Sequence, residues 1–170
     1  MLFNKILQRV VSHEGGFTDN PKDPGNWTGG KVGVGELKGT KYGLSAASYP
    51  DLDIKNLKWE DAEKIYWDWY RDCKLYNLRS AMQYQMFDAA FNHGIRKANQ
   101  FYQRAVRVDD DGIIGRKTMA AAEAMDVNDV LMRFLAKRLE FFTKLEHFDE
   151  FGRGWSRRIA KNLEYAAEDN

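Results

Sequence analysis

The chain has 170 residues, enough for one domain with a sizeable core. Its hydrophobic residues make up 44% and its charged residues 30%, a composition that argues against disorder. The formal net charge of +1 disfavours a globally basic nucleic-acid binder, and no apolar run reaches the ~18–20 residues of a membrane span.

The N-terminal segment predicts an amphipathic helix over residues 2–13, because its apolar residues follow the spacing of three and four. The same stripe continues to Glu14, which we expect to project from the buried face. Gly15 and Gly16 predict the end of this helix. The segment lacks the unbroken apolar run of a signal peptide, and the single Cys73 fits folding in a reducing compartment.

Residues 16–45 predict a small β-rich lobe of turns and short strands. Eight of the fourteen glycines and two of the three prolines lie in this range. Within it, the stretch "GKVGVGEL" predicts a hairpin arm.

The chain after Pro50 predicts helices. On the helix predicted over 80–93, one face collects Ala81, Tyr84, Phe87, Asp88, Phe91 and Asn92. "VDDDGIIG" predicts a turn, and "FGRGW" predicts a helix break. We therefore expect one mainly α-helical α+β domain over 1–170, with the β-rich lobe directly after the first helix. The predicted helices span residues 58–73, 80–93, 96–107, about 115–125, 127–145 and 155–167.

The position of Glu14 predicts acid chemistry. A carboxyl at the end of a buried stripe loses solvation, which favours its protonated form and lets it donate a proton. The loop that follows carries polar groups, including Asp19 and Asp23. One sheltered carboxyl with a second, more exposed carboxyl is the general requirement for glycoside hydrolysis. The alternative is an exposed glutamate at a helix end, without a catalytic role.

Metal chemistry is not expected. Three scattered histidines and one cysteine offer no zinc-site spacing, and "DDDG" lacks the alternating ligands of a calcium loop. We expect no metal and no other cofactor.

Several motifs resemble those of one enzyme family. "EGGFTDNPKDPGNWT" (14–28) and "GTKYGLS" (39–45) resemble the glycoside hydrolase family 108 N-acetylmuramidases, which are phage and bacterial lysozymes. "FDAAFNHG", "VDDDGIIGRKTMAA" and "FGRGWSRRI" resemble later segments of that family, the second of them in its associated peptidoglycan-binding region. The resemblance implies a lysozyme-like fold, with a catalytic part at 1–78 and a helical, peptidoglycan-binding-like part at 79–170.

The resemblance also implies an activity and its residues. The reaction would be hydrolysis of the β-1,4 bond between N-acetylmuramic acid and N-acetylglucosamine, with Glu14 as general acid. Asp23, or alternatively Asp19, would stabilise the charge that develops on the sugar or orient water. About a dozen extra residues, "WTGGKVGVGELKG", leave Thr40 and Thr28 as candidates for the family threonine that positions water; local context favours Thr40.

Other residues are candidates for binding substrate. Trp27 would stack on a sugar, Tyr42 lies in the same polar loop, and Asn92 would line the cleft. Two rival functions stay open: a lytic transglycosylase acting on the same bond, and a non-catalytic peptidoglycan-binding module.

The phage resemblance implies an endolysin. Such a protein would stay in the host cytoplasm until a membrane pore releases it to the periplasm and cell wall. We expect a monomer whose partner is the glycan strand of peptidoglycan, with no nucleic acid and no stable membrane insertion.

Overall fold

The structure, a computed structural model, describes residues 2–11 and 16–170. The chain divides into two compact units, Met1–Asp72 and Cys73–Asn170. The assignment of the whole chain to a single domain, with parts at 1–78 and 79–170, stays a prediction.

Two helices and a polar loop form the first unit. Helix α1 spans Leu2–Val11 and α2 spans Trp59–Asp72. The ring of Phe3 on α1 packs against two rings of α2, with centroids 5.0 Å from Trp67 and 5.3 Å from Tyr70. The contact with Trp67 is edge-on, an arrangement that stabilises a pair of rings beyond the apolar area it buries.

The β-rich lobe between these helices is confirmed, with very short strands. Strand β1 (Thr40–Lys41) pairs antiparallel with β2 (Leu44–Ser45), so that Thr40 lies opposite Ser45. Isolated bridges join Thr18 to Thr40 and Trp27 to Leu37. The predicted arm "GKVGVGEL" is present, although it is closed by turns and a bridge rather than by paired strands.

Helix α3 is the centre of the second unit. It packs against α4, α6 and α7, and every residue from Ala81 to Ala90 is buried. Burial is therefore not confined to the face that carries Ala81, Tyr84 and Phe87, because neighbours surround this helix. The helices of this unit are α3 (Ser80–His93), α4 (Ile95–Ala105), α5 (Arg116–Glu123), α6 (Val127–Phe142) and α7 (Phe148–Asp169).

The predicted helix break at 151–155 is wrong. Helix α7 runs through this stretch, and the break lies between Phe142 and Phe148. Gly152 lies against the ring of Phe148, where an added Cβ would come within 2.9 Å of ring carbons, so a larger residue would require that ring to shift. The ring of Trp155 stacks on Phe142 at 5.1 Å. This aromatic packing offsets the low helix propensity of glycine.

A buried ion pair lies on α3. The carboxylate of Asp88 has Oδ2 2.8 Å from Nη2 of Arg138 and Oδ1 3.0 Å from Nη1 of Arg158. Asn162 Nδ2 donates to Oδ2 at 2.7 Å, and the Tyr84 hydroxyl donates to Asn162 Oδ1 at 2.8 Å. The side chains of Asp88 and Arg138 are both fully buried. The network thus joins α3 to α6 and α7.

The charge balance keeps Asp88 ionised. Burial is the largest influence and raises the pKa of its carboxyl, but Arg138, Arg158 and the Asn162 amide together outweigh it and hold the pKa below its usual value. Arg138 approaches as a close ion pair rather than an aligned hydrogen bond, and its Nε and Nη1 have no hydrogen-bond partner among the described residues. The buried charge of Arg138 is therefore stabilised by the carboxylate of Asp88.

We expect Asp88→Asn to lower the free energy of unfolding by about 3–5 kcal/mol near neutral pH, because it leaves Arg138 buried without a counter-charge. The depressed pKa of Asp88 means that its contribution is present above the unfolded-state pKa and is lost as the pH falls through the folded-state value. The deficit of the variant should therefore shrink below about pH 4. Urea unfolding followed by circular dichroism at several pH values measures both effects.

The matched control is Asp109→Asn, which removes an exposed carboxylate that pairs only with Lys117 in the described structure. It should change stability by less than about 1 kcal/mol. Equal losses in the two variants would contradict the role of the buried pair.

Candidate active site

A buried asparagine, Asn26, holds together the loop of the first unit. Its Nδ2 donates to the carbonyl of Asn20 at 3.0 Å, and its Oδ1 accepts the hydroxyl of Thr40 at 2.7 Å. Its backbone carbonyl accepts the N–H groups of residues 38–39, and its own N–H donates to the carbonyl of Asp23. Two stretches of the loop, 20–23 and 38–40, therefore meet at one residue with no exposed surface. Sequence patterns did not single out Asn26; its only signal was its place at the end of "DPGN".

The candidate carboxylates Asp23 and Asp19 are both exposed. Asp23 precedes a short 3₁₀ turn, Pro24–Asn26, and its Oδ1 accepts the N–H of Gly25 at 2.8 Å. Its Oδ2 makes no hydrogen bond to any residue that the structure describes, and so can face a bound sugar or water. Asp19 follows Thr18, which is paired with the β1 strand.

The two candidate threonines differ in what their hydroxyls can still do. Thr40 Oγ1 donates its proton to Asn26, so towards a water molecule it can act only as acceptor. Thr28 Oγ1 accepts the N–H of Glu36 at 2.9 Å and keeps its own proton for donation. Both side chains are half-buried. Both hydroxyls can therefore still bind a water molecule, that of Thr40 as acceptor and that of Thr28 as donor.

Tyr42 occupies the turn between β1 and β2. Its φ of 51° and the φ of 76° at Gly43 are those of a type I′ turn, which costs a non-glycine residue about 1–2 kcal/mol. Two side chains of α2 support it: the Tyr66 hydroxyl donates to the Tyr42 carbonyl at 2.7 Å, and the Trp59 ring meets its ring edge-on at 5.4 Å. Helix α2 thus fixes where the Tyr42 ring lies.

Trp27 is half-buried, and its ring is fixed by one hydrogen bond. Nε1 donates to the carbonyl of Pro21 at 2.9 Å. Because this bond uses the only polar atom of the ring, Trp27 can meet a sugar only by stacking.

The predicted site residues do not all lie in one unit. Asp19, Asp23, Trp27, Thr28, Thr40 and Tyr42 all lie in the first unit. Asn92 is an exposed residue of α3 in the second unit, and its Nδ2 donates to the carbonyl of Asp88 at 2.7 Å. Glu14 lies outside the described residues.

Within residues 2–11 and 16–170, no group of three His, Cys, Asp or Glu side chains is placed to hold a metal ion. Over the same ranges, no helix combines the length and apolarity of a membrane-crossing segment.

Comparison with known proteins identifies the class of this chain. The family model of glycosyl hydrolase 108 matches residues 7–94. The solved structure of Brucella abortus SagA superimposes with a TM-score of 0.80 at 28% identity, over 98% of this chain and 94% of that one. No curated protein matches the chain.

These matches define a glycoside hydrolase with a lysozyme-like α+β fold, predominantly helical, that acts on peptidoglycan in the manner of a muramidase. The chain belongs to the glycosyl hydrolase 108 family, as its "EGGF" and "GTKYGLS" motifs predicted.

We expect Asn26→Ala to destabilise the first unit by about 1–3 kcal/mol, because the Thr40 hydroxyl and the Asn20 carbonyl both lose their hydrogen bonds to the Asn26 amide. The same change should lower hydrolysis of purified peptidoglycan, since the loop carries Asp23. Thermal unfolding and release of reducing ends are the measurements.

Asn56→Ala is the matched control: Asn56 is exposed and bonds only Asp53 within the described structure. Comparable losses in both variants would contradict a special role for Asn26.

Proposed function

We propose that this protein hydrolyses the β-1,4 bond between N-acetylmuramic acid and N-acetylglucosamine by general acid catalysis. Glu14 protonates the glycosidic oxygen as the bond breaks, and positive charge develops on the sugar ring. Membership of the glycosyl hydrolase 108 family supports the reaction class, and the position of Glu14 in the "EGGF" motif supports its role.

The second carboxylate in this proposal is Asp23, with Asp19 as the alternative. The observation that carries the proposal is that Asp23 and Thr40 are tied to the same buried residue, Asn26. Asn26 holds the backbone carbonyl of Asp23 and the hydroxyl of Thr40, and the Gly25 N–H orients the Asp23 carboxylate. This arrangement can present a fixed charge and a water site to the developing cation. Asp23 has the free oxygen that this task requires.

Further residues of the loop would bind the glycan. Thr40, or Thr28 in its place, orients the water molecule that attacks the sugar. Trp27 stacks on a sugar face, and Tyr42 provides a second contact from its supported turn. Asn92 is a further candidate contact, because it lies in the segment "FDAAFNHG" that resembles the family.

The biological role that fits these residues is that of an endolysin. The phage-lysozyme resemblance supports storage as a monomer in the host cytoplasm and release to the cell wall through a membrane pore. The enzyme would then meet only peptidoglycan, without a nucleic-acid partner and without inserting stably into the membrane.

The first test is Glu14→Gln, which keeps the shape of the side chain but removes its titratable proton. We expect lysis of permeabilised Gram-negative cells, followed by turbidity, to fall by about 10²–10⁴-fold. The matched control is Glu60→Gln at the exposed first turn of α2, which should keep full activity. Full lysis by the Glu14 variant would refute the assignment. Cells that are not permeabilised should resist added protein; lysis of such cells would contradict dependence on a membrane pore.

Mass analysis of the products separates hydrolysis from its rivals. Hydrolysis leaves a reducing muramic acid end, whereas a lytic transglycosylase leaves a 1,6-anhydro end. Binding to purified sacculi without release of soluble fragments would instead indicate a non-catalytic module.

The second test is Asp23→Asn. The new side chain keeps the Oδ1 that accepts the Gly25 N–H, so the turn should persist while the charge is lost. We expect activity to fall by about 10²–10³-fold with unchanged thermal stability. Asp19→Asn is the comparison: a loss confined to that variant would move the role to Asp19.

A further inference from the structure

The loop of the first unit carries an ordered projection, residues 29–38, called the arm below. Backbone bonds close it: Thr28 N–H donates to the Glu36 carbonyl at 3.0 Å, and Gly29 N–H to the Val34 carbonyl at 3.1 Å. Gly35 has a φ of 81°, and a Cβ there would lie 2.2 Å from Thr28 Oγ1, so the close approach requires glycine. Backbone hydrogen bonds, and not a core, thus fix the shape of the arm.

The arm exposes aliphatic side chains. Val32 is 56% exposed, Val34 49% and Leu37 39%. Single exposed apolar residues are ordinary on protein surfaces, but three within six residues of one projection offer apolar surface whose burial by a ligand would be favourable. These three side chains are called the aliphatic patch below.

The arm starts directly after the candidate Thr28 and ends two residues before the candidate Thr40. The chain pairs at the base of the arm through the bridge between Trp27 and Leu37 and through the bonds between Thr28 and Glu36. The carbonyl of Asn26 accepts the N–H groups of Lys38 and the following residue. A glycan held against Trp27 therefore lies beside the arm.

The chemistry of the arm selects a ligand. Residues 29–38 contain no aromatic ring, so the arm lacks the usual platform for a sugar face. It offers aliphatic groups and charges of both signs: the carboxylate of Glu36, which pairs with Lys38 at 3.6 Å, and the ammonium of Lys31, which forms no ion pair with a described residue. The ammonium of Lys38, in contrast, donates to the Pro50 carbonyl at 2.7 Å. Methyl groups and carboxylates occur together in the peptide stems that extend from the lactyl groups of muramic acid.

We propose that the arm contacts the peptide stem next to the bond that is cut, an inference that rests on the proposed function. The aliphatic patch covers the alanine methyls of the stem, and Lys31 meets a stem carboxylate. The arm thereby makes the enzyme prefer strands that still carry peptides over bare glycan.

The test compares two substrates: sacculi with their peptide stems, and the same strands after an amidase has removed the stems. We expect the parent to cut the peptide-bearing strands with the higher kcat/KM. Lys31→Glu should lower kcat/KM on these strands by at least about tenfold, mainly through KM, and leave bare glycan unchanged. The double variant Val32→Thr, Val34→Thr keeps side-chain size and should weaken the same preference.

The control is Lys55→Glu, which makes the same charge change at another exposed lysine of this unit. It separates a contact at the arm from general repulsion of an anionic polymer. Thermal unfolding of all variants should match the parent.

Two results would overturn the inference alone: a parent that cuts both substrates equally, or variants that lose activity equally on both. If the arm variants kept the substrate preference and instead bound anionic vesicles less well, the aliphatic patch would be assigned to a lipid surface. If they instead changed how the protein's mass in solution depends on its concentration, the patch would be assigned to a second copy of the chain. Either result would also overturn the inference. A parent inactive on both substrates would refute the proposed function and this inference together.

Discussion

The candidate site depends on the hydrogen bonds of one buried side chain, the amide of Asn26. Loops with few apolar residues cannot be held by a core, so their backbone and side-chain polar groups must satisfy one another. Asn26 does this for the segment before it, for Thr40 and for the end of the arm. A donor and an acceptor on one short, stiff side chain suit this task, because aspartate or leucine would leave a buried partner unsatisfied.

The helices of the second unit are instead joined by a buried charge, the carboxylate of Asp88. A carboxylate on the central helix attracts one guanidinium from α6 and one from α7, and so fixes how these helices meet α3. Replacing a buried ion pair by apolar residues of the same volume often leaves stability equal or higher, whereas removing one partner is strongly destabilising. The value of this network is that Arg138 finds its counter-charge in only one arrangement. The amide of Asn92 bonds the same aspartate, which links the family motif "FNHG" to this network.

Most helices were predictable because their apolar residues repeat with the period of a helix. The helix predicted over 80–93 has the same bounds as α3, and those over 58–73 and 96–107 differ from α2 and α4 by one or two residues. The break predicted at "FGRGW" failed because local glycine propensity was outweighed by a tertiary contact of Trp155 with Phe142. The candidate site residues were named from a motif, and the structure adds to them the bonding of Asp23, Thr28, Thr40 and Tyr42.

The sequence by itself determined the family, the mainly helical class and the glycine-rich lobe, because motifs and periodicity are local in the chain. It also supplied Glu14 as the candidate acid. Only the tertiary structure decided that Asn26 is the hub of the loop and that Asp88 pairs with Arg138 and Arg158. The physical reason is that a pattern along one segment shows which side chains avoid water, whereas a buried polar group is explained only by its partner, and that partner lies elsewhere in the chain.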